Sequence, residues 1–386
     1  MKMNRWKAVL LLSATMMALT TTVALGHPWP RWGHPAPGNP FLVSTGYVEV
    51  DLVSDIVSNA PNTDARLVNP WGLVPGPGVV WVNDNGPGLT TAYGSSGHPF
   101  NFAINIPAPD GTNSGTPSGL VFNDTWKFVI TNGTKHAPAA LLASTEDGTI
   151  TAWNLLVTKS NAVIVVDNSE SGAVYKGLAI ARLTNGTPQL YAANFHAGVV
   201  DVFDTHFQHV GSFTDTNLPT GFAPFNIENI NGHLFVTFAL QDGDAHDDVA
   251  NPGNGFIDVF DPDGTLAQRL VSQGALNSPW GLAVAPHHFG LYSNALLVGN
   301  FGDGLINAYD LSTGDLLGHL TRPDGSDLAI DGLWGLAFSK DGLLFEHGDG
   351  YGFGSERLYF TAGSNHEADG LFGFIRINSP IGKTGH

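Results

Sequence analysis

The residues most capable of chemistry lie in one acidic stretch, QDGDAHDDVANPGNG, at positions 241–255. Asp242, Asp244 and His246 occupy alternate positions in it, and two more aspartates follow at once. Carboxylates this close repel one another, and a hard cation such as Ca2+ relieves the repulsion by drawing carboxylate and carbonyl oxygens together. Because the Gly and the bidentate Glu of an EF-hand are missing, the stretch predicts either a calcium site of another type or a solvated acidic loop.

A repeated pattern organises the rest of the chain: a small or acidic residue, a Gly, then alternating apolar positions that end in an aromatic residue and Asp or Asn. Clear copies are DGTITAWN, AGVVDVFD, NGFIDVFD and DGLINAYD, and weaker copies are PGLTTAYG and DGLFGFIR. Their glycines lie 49 to 66 residues apart, near the length of a four-stranded propeller blade. Alternation with a period of two predicts that each copy is a strand, entered through a turn at the Gly.

Two further strand patterns precede each copy. One is an apolar strand such as VVWVND or ALLVGN, and the other, earlier in the chain, sets small residues next to Leu, as in NPWGLV and SPWGLAV. Small residues suit an innermost strand crowded around a channel. The last unit lacks an outer strand, whereas GYVEVDLVS at 46–54 is a strand without a unit. We therefore predict an all-β fold, a six-bladed β-propeller of four-stranded blades, closed by pairing of the N-terminal strand with the last blade.

The segments LVNPWGL, STEDGTITAWN, YAANFHAGVVDVFD, NSPWGLA and LYFTAGSNHEADGLFG together resemble a largely uncharacterised family of secreted bacterial proteins, some of whose members end in a PEP-CTERM sorting tail. The resemblance covers essentially residues 46–377 and implies a propeller similar to the NHL type. Since no established reaction accompanies the resemblance, it supports the fold and leaves the function open.

The N-terminal residues have the order of a secretory signal peptide. Three basic residues within the first seven precede an apolar run at 8–19, which is followed by small residues. We therefore expect a soluble protein that is secreted, periplasmic or extracellular. The predicted organisation is a signal peptide at 1–26, a Pro/Gly-rich disordered segment at 27–45, a single propeller domain at 46–377 and a C-terminal tail at 378–386.

The composition of the 386 residues limits the classes of function. With 34 Asp and Glu against 16 Lys and Arg, the formal charge is −18, which repels phosphate backbones and anionic lipid. We therefore expect a polar small molecule, a glycan or an extracellular protein as partner, with no nucleic acid and no membrane insertion. The absence of Cys excludes disulfides, thiolate metal sites and Cys nucleophiles. No phosphate loop or dinucleotide fingerprint indicates an organic cofactor.

Two sets of loops in a propeller open onto the same face, around the channel: those between the second and third strands, and those that lead into the inner strand. Turns also require Asp and Asn, and indoles at the start of inner strands commonly wedge between blades, so each candidate here has a structural alternative. The ligand-binding candidates on this rim are Asn69, Trp71, Asn194, His196, Trp280, Asn300, Asp303 and Trp334.

A metal site inside the channel is a further hypothesis. Six-bladed propellers of the lactonase and phosphotriesterase type hold calcium there with Glu, Asn and Asp from inner loops, and Glu146, Asn226 and Asp331 occupy comparable positions here. Two functions therefore remain. One is a propeller that binds a polar ligand or partner at the rim, with or without a calcium ion, and the other is a calcium-dependent hydrolase or lactonase. The sequence identifies neither a general base nor a substrate, so it does not decide whether the protein is an enzyme.

Overall fold

The computed structural model describes residues 46–76, 78–111, 114–338 and 357–378. The predicted signal peptide at 1–26, the predicted disordered segment at 27–45 and all but the first residue of the predicted tail lie outside this range. No helix in the described part has the length and apolar character needed to cross a membrane.

Strands make up nearly all the regular structure, as the alternating patterns predict. In chain order, the first half contains β1 (Tyr47–Ser54), β2 (Asn62–Thr63), β3 (Pro70–Gly76), β4 (Val79–Asp84), β5 (Leu89–Tyr93), β6 (Pro99–Asn105), β7 (Pro117–Phe122), β8 (Val129–Asn132), β9 (Lys135–Pro138), β10 (Leu141–Thr145), β11 (Thr149–Trp153), the one-turn helix α1 (Leu155–Thr158), β12 (Val163–Asp167), a 3-10 turn (Ser169–Ser171), β13 (Tyr175–Arg182), β14 (Pro188–Asn194), β15 (Val199–Phe203) and β16 (His209–Phe213).

The second half continues the same alternation of strand and turn. It contains β17 (Phe222–Ile230), β18 (His233–Leu240), β19 (Phe256–Phe260), β20 (Leu266–Ser272), β21 (Pro279–Val284), a 3-10 turn (Gly290–Tyr292), β22 (Leu296–Asn300), β23 (Ile306–Tyr309), β24 (Leu316–His319), β25 (Leu333–Phe338), β26 (Leu358–Ala362), a turn (Ser364–Glu367) and β27 (Leu371–Ile377).

These strands form a six-bladed propeller, and the prediction of the fold is confirmed. Blades one and three to five are the antiparallel sheets β3–β6, β13–β16, β17–β20 and β21–β24, and blade two has the order β7-β10-β11-β12. Blade six has the order β25-β26-β27-β1-β2 from the channel outward. The innermost strands β3, β7, β13, β17, β21 and β25 neighbour one another in turn, and β25 returns to β3.

The N-terminal strand closes the ring, also as predicted. β1 pairs antiparallel with β27, with Val50 opposite Phe374 and Val53 opposite Phe372. Within the described ranges, three strands lie outside the predicted pattern. They are β2, which adds two parallel residues beyond β1, and the β8–β9 hairpin inserted between the first two strands of blade two.

Apolar side chains fill the spaces between neighbouring blades. Between blades five and six, for example, Leu297, Leu320, Leu336 and Phe360 are each no more than 5% exposed and belong to one cluster. Because the two faces of most blades are buried in this way, the inner strands read as nearly continuous apolar runs.

Glycines allow the inner strands to crowd around the channel. A Cβ on Gly72 would lie 2.5 Å from the carbonyl oxygen of Ser118 on the next blade, a distance that no real Cβ tolerates. Blade four has Asn226 at the corresponding position, and its Nδ2 donates a hydrogen bond of 2.8 Å to the carbonyl of Trp280. We call these six positions the glycine ring: Gly72, Gly119, Gly177, Asn226, Gly281 and Gly335.

Candidate binding site at the channel mouth

One backbone hydrogen bond repeats in all six blades and builds the mouth of the channel. The residue that follows each second strand donates its N–H to a carbonyl just ahead of the inner strand, as in Phe195 to Val174 (2.8 Å) and Phe301 to Ser278 (3.0 Å). Six residues thereby take equivalent places around the mouth. This mouth ring consists of Asn85, Glu146, Phe195, Gln241, Phe301 and Gly363.

A second ring lies one residue before the glycine ring, and its side chains fill the channel. The Trp71 and Trp334 rings stack with centroids 3.7 Å apart, and Trp280 packs edge-on against both. Phe225 of blade four also contacts Trp334 of blade six, and contact between blades that are not neighbours requires the side chains to meet inside the channel. This plug ring consists of Trp71, Ser118, Lys176, Phe225, Trp280 and Trp334, all at most 4% exposed.

Lys176 is the charged member of the plug ring, and its side chain is only 1% exposed. Its Nζ forms an ion pair with Glu146 of the mouth ring and lies 3.6 Å from a carboxylate oxygen of Asp247. The same Nζ lies 4.9 Å from the centroid of the Trp71 ring and 5.7 Å from that of Phe195. The ammonium group is therefore enclosed by carboxylates and aromatic faces.

The acidic stretch 241–255 folds over this mouth. Asp242 accepts backbone N–H groups of Asp244 (3.2 Å) and His246 (2.9 Å), and these hydrogen bonds hold the pKa of Asp242 below its usual value. This turn places the side chains of His246 and Asp247 at the mouth, where His246 Nδ1 lies 2.9 Å from Asp247 Oδ1.

Residues from the two predicted metal sites meet at this point. Glu146, His246 and Asp247 can each supply a ligand atom within 4.8 Å of the others. The second oxygen of Glu146 accepts a hydrogen bond of 2.7 Å from Asn85 Nδ2. The structure therefore joins Glu146, a channel candidate, to His246, a loop candidate.

Two further carboxylates surround the ion pair. Burial raises the pKa of Asp248, on the 241–255 loop, and that of Glu367, from blade six, and the charge of Lys176 opposes the rise at both. Asp248 Oδ2 and Glu367 Oε1 have no hydrogen-bond partner among the described residues. The mouth thus carries more negative than positive charge.

Most of the other candidates hold their own turn or a neighbouring loop of the same blade. Asn194 Oδ1 accepts the N–H of Ala197, and Asn300 Oδ1 accepts that of Asn277. Asp303 accepts the N–H of Leu305, and Asp331 accepts the N–H of Asn365. Asp331 is therefore not part of the group formed by Glu146, His246 and Asp247. His196 is exposed beside the mouth ring. A ligand-binding role for these side chains stays a prediction.

Asn69 holds two of the buried indoles. Its Oδ1 accepts both Trp71 Nε1 (3.1 Å) and Trp334 Nε1 (3.2 Å), from a backbone with φ of +47°. Ser278 has the equivalent place and a φ of +49° in blade five, but its side chain is too short to act in the same way. Trp280 Nε1 consequently has no partner in the described part of the chain.

We expect Asn69→Ala to lower the free energy of unfolding by about 3 kcal/mol, because it leaves two buried N–H groups unsatisfied. Denaturant unfolding followed by Trp fluorescence measures this. Asn231→Ala is the matched control, since it replaces another Asn at a positive φ (+55°) whose side chain is exposed and holds no indole. Equal losses in the two variants would show that backbone strain, rather than the indole hydrogen bonds, sets the cost.

Asn85 was not singled out as a site residue from the sequence. Lys176 belongs to a rim loop and Asp247 to the acidic stretch, but the contact between them was not predicted. The sequence did contain a signal for Lys176. When the inner strands are aligned at PWG, PSG, YKG, PWG and LWG, the residue before the Gly is charged in YKG and uncharged in the other four. Its partners could not be found in this way, since they come from other blades.

The fold and the site define a six-bladed β-propeller whose channel is closed at one end by aromatic side chains and a buried ion pair. Two uncharacterised proteins of Acanthamoeba polyphaga mimivirus are 32% and 34% identical to this chain over 333 and 336 residues, which is 84% of this chain in each case and 78% and 85% of theirs. The chain therefore belongs to the same family as these proteins. They are viral, so membership of a bacterial secreted family stays a prediction. No family model matches the chain.

Solved structures also share the architecture. A glucose dehydrogenase superposes with a TM-score of 0.52 at 11% identity, over 86% of this chain and 100% of its own. A protein of unknown function from Bacteroides thetaiotaomicron has a TM-score of 0.50 at 9% identity, over 86% of this chain and 76% of its own. Identities this low show the fold alone.

Proposed function

We propose that this chain is a binding protein that holds a polar ligand at the channel mouth, against the mouth ring and the 241–255 loop. One observation carries this proposal: candidate oxygen ligands already take part in hydrogen bonds or an ion pair within the protein. Asn194 Oδ1 accepts the N–H of Ala197 and Asn300 Oδ1 accepts that of Asn277. Both oxygens of Glu146 are also engaged, one by Lys176 and the other by Asn85. A hydrolytic metal centre needs such oxygens free, whereas a binding protein does not.

The charge of the mouth favours a ligand with positive or hydroxyl groups. Four carboxylates, those of Glu146, Asp247, Asp248 and Glu367, surround one lysine. A cationic small molecule, an amino-bearing glycan or a basic segment of an extracellular protein would complement this surface. The same proposal puts the mature protein outside the cytoplasm with residues 1–26 removed, which N-terminal sequencing of exported protein checks.

The alternative is a calcium-dependent hydrolase or lactonase, and one observation favours it. Glu146, His246 and Asp247 are close enough to share an ion, and such an ion would polarise a carbonyl or phosphoryl oxygen. The oxygen and nitrogen donors fit a divalent cation in kind. In this alternative, His246 would hold the ion or act as the general base.

Calcium titration separates the two functions. An ion bound only to the folded state at a hundredfold excess over Kd adds about 2.7 kcal/mol of stability, which thermal unfolding detects. The hydrolase predicts this stabilisation together with turnover of lactones or esters, and predicts that His246→Ala abolishes both. His206→Ala is the matched control, since His206 is also an exposed histidine beside an aspartate.

The binding function predicts no turnover, and binding of cationic or hydroxyl-rich probes that Asp247→Asn weakens about tenfold. Calorimetric titration with an amino sugar and with its N-acetylated form measures this difference. Turnover that depends on both calcium and His246 would contradict the proposal and establish the alternative.

A further inference from the structure

We infer that the ammonium group of Lys176 is the resident cation of the channel mouth and takes the place that a divalent ion would otherwise hold between Glu146 and Asp247. The inference rests on the proposed function, because it specifies the chemistry of the same site. The mouth is a binding site for an alkylammonium group, and the side chain of Lys176 occupies it. Lys176 thereby determines which other cations can bind there.

The position of the ammonium group supports this. Lys176 comes from blade three, yet its Nζ pairs with Glu146 of blade two and approaches Asp247 of the blade-four loop at 3.6 Å. It also lies over Trp71 of blade one. A group that touches elements from four blades lies near the centre of the ring, where an ion held by several blades would have to lie.

The surroundings are those of a cation site rather than of a surface acidic cluster. A buried ammonium is costly unless charges and hydrogen bonds compensate it. Here two carboxylates supply the compensation, and the faces of Trp71 and Phe195 add the attraction of aromatic rings for a cation. Glu367 and Asp248 add negative charge at longer range.

The two kinds of cation compete for the same oxygens. One oxygen of Glu146 is engaged by Lys176 and the other by Asn85. A divalent ion among Glu146, His246 and Asp247 would have to displace the lysine, and would then repel it across a few ångströms of poorly screened space. The other five positions of the plug ring hold uncharged residues, so no second lysine or arginine of that ring could take over the role.

Removing the charge should therefore change the cation preference of the site. Lys176→Met keeps most of the volume but frees the two carboxylates, so we expect calcium to bind this variant at least tenfold more tightly than the wild type. Lys176→Ala also removes the carbon chain, so we expect n-propylammonium, which matches the missing atoms, to raise its melting temperature by about 3 °C. The wild type, in which Lys176 already fills this place, should gain less stability from n-propylammonium than Lys176→Ala does.

The experiment compares thermal unfolding of the wild type and both variants with calcium chloride, n-propylammonium chloride and n-propanol, at matched ionic strength. The neutral alcohol has nearly the same shape as the ammonium ion and should stabilise none of the three proteins. If Lys176→Ala does not fold, the calcium affinity of Lys176→Met decides the question.

Two results would overturn the inference. One is calcium binding by the wild type as tight as by Lys176→Met, which would show that the lysine does not occupy the ion's place. The other is a Lys176→Ala variant that folds but responds equally to propylammonium and propanol. Neither result touches the proposed function, which fails instead if the wild type turns over substrate with calcium and His246.

Discussion

A chain that begins at residue 55, and so lacks β1, is expected to aggregate or to remain unfolded, whereas a chain that begins at residue 46 should unfold in one cooperative transition. β1 is the fourth strand of blade six, and its loss leaves β27 as an unpaired edge. The truncation also removes Tyr47, Leu52 and Val53 from the core, where each is at most 7% exposed. Size-exclusion chromatography and circular dichroism measure the outcome.

A peptide of residues 46–54 supplied separately offers a sharper version of this test. If pairing with β27 is what the truncated chain lacks, the peptide should increase the soluble, folded fraction, and a scrambled peptide of the same composition should not. A truncated chain that stays monomeric with an unchanged melting temperature would contradict the role of β1 in closure.

Substituting Gly72 by Ala should lower the free energy of unfolding by about 3 kcal/mol, at the upper end of the usual cost of overpacking. The new Cβ would lie 2.5 Å from Ser118 O and 2.8 Å from Leu120 N, and both are backbone atoms that cannot rotate away. Blades one and two would have to move apart, and because the ring is closed, this displacement would strain the contacts between the other blades as well. Denaturant unfolding of the purified variant measures the loss.

Gly211→Ala is the control for this effect. Gly211 lies in an outer strand, its backbone has no positive φ, and an added Cβ would meet nothing within 4 Å. Alanine there should be neutral or slightly stabilising, because it restricts the unfolded chain. If both substitutions cost the same, the destabilisation at Gly72 does not arise from the approach of the inner strands.

The fold could be predicted because each blade repeats the same packing task. Every unit repeats a Gly just before the third strand and small residues in the inner strand. The strand at 46–54, which has no unit of its own, supplies the outer strand that the last unit lacks. The β8–β9 hairpin could not be predicted in this way, because among the described residues it is an insertion found in blade two alone, and repetition says nothing about it.

The site was less predictable, and the reason is physical. An Asn at the end of a strand has the same sequence signature whether it faces a ligand, caps its own turn as Asn194 does, or holds a neighbouring loop as Asn300 does. Lys176 and its partners Glu146 and Asp247 lie in three different blades or loops, so no local spacing connects them. The loop at 241–255 was recognised by its charge. Its contact with Glu146 could not be predicted, because that contact depends on how the closed ring brings the blades together.

Pairing of β1 with β27 also constrains when the protein can fold. The strand that is synthesised first after residue 46 finds its partner only when the last residues of the propeller are present. Blades one to five can form in order as the chain grows, but blade six needs a contact between the two ends of the domain. Contacts this far apart in sequence slow folding and prolong the life of partly folded states. A ribosome that stalls before residue 371 would therefore leave a nearly complete ring with an open seam, and such chains would be prone to pair with one another.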